Sequence, residues 1–254
     1  MRYETLEVEI HDCVCTVRIN RPGANNAINA RLVEELGSVV AQCESTGHDP
    51  PITILVLEGS PTVFCSGGDF EAVAAASEPA DPEPLYQLWY RLATGPFITV
   101  SVVRGRVNAG GVGFVSASDI VLADRSAAFS LSELLFGLFP ACVLPFLIRR
   151  VGSQRAHYLT LMTRAFGAEE ALGWGLVDAL DDDVESLLRK HLLRLRRLGK
   201  PSIARYKRYF ADLAGGLERS KEGALAANRE MFGDPEILRN VRRYVAESKF
   251  PWES

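Results

Sequence analysis

Residues 98–124 read ITVSVVRGRVNAGGVGFVSASDIVLAD. ITVSVV (98–103) is a short apolar run of the kind a strand buried on both faces would show. NAGGVGF (108–114) follows with two adjacent glycines. DIVLAD (119–124) is a second short apolar run. Strand, glycine turn, short helix and strand is the unit of an α/β fold with parallel strands. An earlier segment has the same design. ITILVLEG (52–59) is again a continuous apolar run, and FCSGGDF (64–70) places Gly-Gly before a helical start at 70–76.

Working outward, residues 3–20 alternate in places and predict a strand or hairpin, and RPGANN (21–26) predicts a turn. Ile28, Leu32, Leu36, Val39 and Val40 recur at helical spacing over 27–43. SEPADPEPLY (77–86) predicts a loop, and 85–93 a helix. From Leu134 onward the pattern is mostly helical. The fold class is therefore α/β with a helical C-terminal part.

Bulk properties narrow the function classes. The 254 residues allow one large core. A formal net charge of −4 argues against nucleic acid as a general partner. No apolar run reaches the roughly 18–20 residues of a membrane span. The five cysteines form no Cys-x-x-Cys pair. They predict a reduced, cytoplasmic setting with no zinc site.

Two Gly-Gly turns suggest chemistry when taken together. Each precedes a predicted helix start, where unpaired N–H groups and the positive end of the dipole lie. Facing each other, they would hold one oxygen between two N–H groups, as an oxyanion hole does. Neither turn carries a dinucleotide or ATP loop pattern. Glu133 sits inside the apolar stretch AAFSLSELLFGLFPACVLPFLIRRVG (127–152). Its carboxyl is either satisfied at the surface or enclosed in apolar surroundings. Enclosure would raise its pKa and suit it to general acid–base work. Residues 187–210 carry nine Lys/Arg and no Asp or Glu. Such a run is either a solvated face or a docking face for an acidic partner.

These pieces resemble the crotonase (enoyl-CoA hydratase) superfamily over nearly the whole chain. The carriers are NRPGANNAIN (20–29), FCSGGDF, VNAGG (107–111), FSLSELLFGLFP (129–140) and SQRAHYLTLMTRAFGAEEALGWGLVDAL (153–180). PLYQLWYRLATGPF (84–97), RGRVNAGGVGFVSASDIVLAD (104–124), LLRKHLLRLRR (187–197) and FPWE (250–253) are similar to one branch, the PksH-type dehydratases of polyketide β-branching cassettes. That branch removes water from 3-hydroxy-3-methylglutaryl on an acyl carrier protein to give the 3-methylglutaconyl thioester. A partner decarboxylase follows it.

The resemblance implies a ββα spiral core over 1–195. It implies a C-terminal helical region over 196–254 that assists assembly into a trimer or a dimer of trimers. Gly68 and Gly110 match the oxyanion-hole donors, and Glu133 matches the carboxylate that handles the proton and the water. The second glutamate of standard hydratases is replaced here by Gly113. Asn108 would orient the β-hydroxyl, or be a turn residue bonding its own backbone. Asp69 would be an extra acid, or the start of a helix. Tyr86 and Trp89 would line the acyl pocket, or pack the core. Arg189, Lys190, Arg194, Arg196 and Arg197 would dock the acidic carrier protein. No metal or organic cofactor is implied; the substrate rides on the carrier's phosphopantetheine or on CoA. The rival activities are the cassette's decarboxylase, a general enoyl-CoA hydratase, and a non-catalytic carrier-binding trimer.

Overall fold

The computed structural model describes residues 3–253. The chain opens with the antiparallel hairpin β1 (Leu6–His11) and β2 (Val14–Ile19), then α1 (Ala30–Glu44). Next come β3 (Ile54–Glu58), β4 (Val63–Cys65), α2 (Phe70–Ala75) and α3 (Glu83–Thr94). They are followed by β5 (Ile98–Val103), β6 (Arg106–Asn108), α4 (Gly110–Ala117), β7 (Ile120–Ala123) and β8 (Ala128–Ser130). The remainder is α5 (Leu144–Val151), α6 (Ser153–Met162), β9 (Phe166–Gly167), α7 (Ala168–Gly173), β10 (Ala179–Leu180), α8 (Val184–Leu195), α9 (Lys200–Ala214), α10 (Leu217–Gly233) and α11 (Pro235–Glu247). The alternation of strands and helices expected from 52–124 is present, and so is the helical C-terminal part.

From β3 to β8, consecutive strands go to different sheets. One sheet runs β1-β2-β3-β5-β7-β10, the other β4-β6-β8-β9. β3, β5 and β7 pair in parallel, as do β4, β6 and β8. The pairs β3/β4, β5/β6 and β7/β8 thus each lay one strand on each sheet before the chain returns by helix, which is a ββα spiral. The period-2 rule explains the unbroken apolar runs. Leu55 and Leu57 of β3 face the main core, while Ile54 and Val56 face a second core. That second core is closed by Val184 of α8 and Ile203 of α9.

The basic run at 187–210 is divided by this packing. Lys200 and Lys207 are buried. The Lys200 Nζ donates to the carbonyls of Cys43 and Ser45. The Lys207 Nζ donates to the carbonyls of Leu92 and Phe97 and pairs with Asp119 at 2.6 Å. Asp119 also accepts from the Thr99 N–H. Burial lowers the Lys207 pKa, and Asp119 opposes that shift. Lys207→Met leaves the half-buried Asp119 without its cation, and we expect a stability loss of about 3 kcal/mol in urea unfolding. Adding Asp119→Asn recovers part of it. An unchanged midpoint in the single variant contradicts this account. No helix among the described residues is long and apolar enough to cross a membrane.

Candidate active site

The spiral brings the two glycine turns into contact. A Cβ placed on Gly67 would lie 2.7 Å from the Ala109 Cβ and 3.4 Å from the Gly110 N. Gly67 has φ +96°, a value that favours glycine. The Gly67 carbonyl accepts from the Ile28 N–H at 2.7 Å, and the Asp69 N–H donates to the Ile28 carbonyl at 3.0 Å. This bridge leaves the Gly68 N–H outside its hydrogen bonds. Gly110 is the first residue of α4, so its N–H has no partner within the helix. Gly68 and Gly110 thus lie on two turns that touch, and both line the same cleft.

The early RPGANN segment holds the first turn in place. The Asn26 Nδ2 donates to the Val63 carbonyl at 2.9 Å, and its Oδ1 accepts from the Arg21 N–H. The Arg21 guanidinium donates to the Ala27 carbonyl and pairs with Asp69 at 3.1 Å. Asp69 also accepts from the Ala72 N–H and so caps α2.

Asn108 ties three strands' ends together. Its Oδ1 accepts from the hydroxyls of Ser130 at 2.8 Å and Ser132 at 3.1 Å. Its Nδ2 reaches the Ser66 carbonyl at 3.4 Å. The reading of Asn108 as a turn residue bonding its own backbone is corrected here: every partner lies on another segment.

Glu133 follows Ser132 and starts a 3-10 turn, Glu133–Phe136. Its Oε2 is enclosed and has no hydrogen-bond partner among the described residues. Of the two situations open for this carboxyl, the enclosed one holds. Burial pushes its pKa up to about 7 from an ordinary 4.5, against a smaller downward pull from a backbone N–H.

The C-terminal helices close the site. α11 packs against α2. Phe136 meets Phe70 edge-on at 5.2 Å and Tyr244 at 5.0 Å, and Tyr244 meets Phe250 at 5.2 Å. The result is a cleft of roughly 1630 Å³ lined in part by Gly68, Asp69, Trp89, Asn108, Gly110 and Glu133. Tyr86 does not line it. That ring is wholly buried behind the cleft, and its hydroxyl donates to the Leu217 carbonyl. None of Arg189, Lys190, Arg194, Arg196 and Arg197 lines the cleft either. They lie exposed on α8 and just beyond it, and α8 packs against β7 and β10. Arg21, Asn26, Ser130 and Ser132 join the site through partners distant in sequence. Ser130 and Ser132 carried a faint signal, as polar residues recurring beside Glu133 in an apolar stretch. No group of three or more His, Cys, Asp and Glu that could hold a metal occurs among the described residues.

The profile of the enoyl-CoA hydratase/isomerase family covers residues 9–254. The chain belongs to the enoyl-CoA hydratase/isomerase family. Within that family it is 52% identical over 256 residues to the bacillaene synthase dehydratase PksH of Bacillus subtilis (strain 168), covering 99% of this chain and 97% of that one. The crystal structure of PksH from Bacillus subtilis, described as a polyketide biosynthesis enoyl-CoA hydratase, superposes with a TM-score of 0.94. That match covers 98% of this chain and 100% of the other at 52% identity. An enoyl-CoA hydratase from Mycobacterium avium subsp. paratuberculosis K-10 shares the fold at 23% identity, with a TM-score of 0.86 and full coverage of both chains. The crotonase resemblance read from the sequence is thereby borne out across the chain.

Proposed function

We propose that this chain is a hydro-lyase of polyketide β-branching, removing water from 3-hydroxy-3-methylglutaryl carried on an acyl carrier protein. The observation that carries this reading is the Glu133 carboxyl, its pKa pushed up to about 7 by burial, in the same cleft lining as Gly68 and Gly110. The relatedness to the dehydratase PksH supports the same reaction.

Glu133 as carboxylate takes the proton from the α-carbon. The C–H electron pair moves into the thioester, and the oxygen that becomes negative is held by the Gly68 and Gly110 N–H groups. Those donors gain most in the transition state, where the charge develops, so they raise the rate rather than merely the affinity. The C–O bond to the β-hydroxyl then breaks, and Glu133 returns its proton to the departing oxygen. Water and the 3-methylglutaconyl thioester result, with Glu133 again a carboxylate. One group serving both ends of the elimination needs no side chain at Gly113. Asn108 is a positioning residue in this scheme, since its Ser130 and Ser132 bonds fix the strand end that leads to Glu133. Asp69 acts through its cap and its Arg21 pair.

The cassette's decarboxylase needs no base where Glu133 stands, and a carboxyl tuned to about 7 favours dehydration over it. The test is intact-mass analysis of the 3-hydroxy-3-methylglutaryl carrier protein after incubation with the enzyme. Loss of water alone is expected. No mass change rejects the dehydratase, and subsequent loss of carbon dioxide moves the assignment to the decarboxylase.

We read the protein as cytoplasmic, needing no cofactor, and assembling as a trimer or a dimer of trimers through the 196–254 region beyond the 1–195 core. Tyr206, Tyr209 and Leu213 of α9, 62%, 62% and 66% exposed, support an apolar contact there. The exposed Arg189, Lys190, Arg194, Arg196 and Arg197 remain the surface proposed for the acidic carrier. Reversing charge at Arg196 and Arg197 is expected to raise KM for carrier-bound substrate roughly tenfold, and KM for the CoA thioester far less. Equal effects on both place the carrier elsewhere.

A further inference from the structure

Gly113 lies inside α4, where glycine is a poor helix former. Its neighbour explains the choice. A Cβ on Gly113 would lie 2.5, 2.6 and 2.8 Å from Cζ2, Cε2 and Cη2 of Trp89. Trp89 belongs to α3 and is 1% exposed. It cannot swing aside, because Phe114 and Phe146 meet it edge-on at 5.8 and 5.9 Å. The same ring reaches the start of the helix: a Cβ on Gly110 would lie 3.8 Å from Trp89 Cζ2. The indole therefore bears directly on the first turn of α4, which begins at Gly110 in the cleft lining. Its own Nε1 is enclosed without a partner among the described residues, so ring shape rather than a hydrogen bond holds it there.

We propose that Trp89 is a positioning residue for the oxyanion hole. Its indole seats the first turn of α4 and so aims the Gly110 N–H. The same ring excludes every side chain at 113, which commits the site to Glu133 as its one proton-handling carboxylate. This inference rests on the assignment of Gly110 as an oxyanion donor made above.

The test uses Gly113→Ala, Trp89→Leu, their combination, and Trp89→Phe as the conservative variant. Melting temperature, kcat and KM on the carrier-bound substrate, and affinity for acetoacetyl-CoA are measured. The enolate of acetoacetyl-CoA calls on the same two donors without any loss of water. Gly113→Ala is expected to lower Tm by roughly 5 °C, as an overpacked core does. The combination with Trp89→Leu recovers that loss relative to Trp89→Leu alone. Trp89→Leu is expected to lower kcat about 30-fold with KM within about threefold, since a misaimed donor weakens the transition state most. It also weakens acetoacetyl-CoA, and Trp89→Phe retains most of both.

A Gly113→Ala protein with wild-type Tm overturns the proposal. So does Trp89→Leu with unchanged kcat and unchanged acetoacetyl-CoA affinity, since its role is then packing alone. A wild-type enzyme inactive on the carrier substrate rejects the dehydratase reading instead, and Tm with acetoacetyl-CoA affinity still decides this one.

Discussion

Glu133→Gln abolishes loss of water from the carrier-bound substrate, with kcat falling by about 10³-fold or more while the fold persists. Glutamine keeps the shape and removes the group that must accept and return a proton. The same variant has an opposite effect on stability. Burial raises the folded-state pKa of Glu133 from 4.5 to about 7. Between those values the folded protein holds a proton that the unfolded chain has lost. Its contribution is therefore fully present below pH 4.5 and is lost as pH rises through about 7. Above that the enclosed charge costs at most about 3 kcal/mol. Relative to wild type, Glu133→Gln is expected to gain stability in urea unfolding at pH 8 compared with pH 5. In the wild type, kcat/KM rises with pH through about 7 as the base ionises. A rate independent of pH from 6 to about 8, or a variant that still releases water, removes Glu133 from the centre of the reaction.

Gly67→Ala carries the second large effect. A side chain at φ +96° is strained, and its Cβ would meet the Ala109 Cβ at 2.7 Å and the Asn108 carbonyl oxygen at 3.1 Å. The two turns must then part, and with them the two N–H groups. We expect kcat to fall about 100-fold, in the range of one lost oxyanion donor, and stability to fall by about 2–4 kcal/mol. Gly68→Ala is the control for stability, because nothing lies within 4 Å of a Cβ there. Its Tm should stay near that of the wild type. A Gly67→Ala enzyme with full kcat would falsify the contact between the turns as the source of the site.

Much of this was legible before any coordinates. Asp69 accepts from the Ala72 N–H, and such a cap depends only on residues three apart. The runs at 52–59 and 98–103 became strands because branched apolar residues fill both faces of a pleated chain. Other features were hidden because their partners are far away in sequence. Asn108 bonds Ser130 and Ser132, 22 and 24 residues on, and nothing in its own neighbourhood indicates them. Lys200 and Lys207 read as members of a basic run, yet they reach the carbonyls of Cys43 and Leu92, 157 and 115 residues back.

What the sequence by itself determined was the α/β class, the two glycine turns, and an acid within an apolar stretch. Each follows from residue type and short-range spacing. The tertiary structure alone decided that the turns meet, that the Glu133 carboxyl is enclosed, that Trp89 occupies the space above Gly113, and that α11 folds back on α2. These depend on how successive turns of the spiral stack. Stacking sets dielectric, orientation and excluded volume, and those are properties of neighbours in space rather than along the chain.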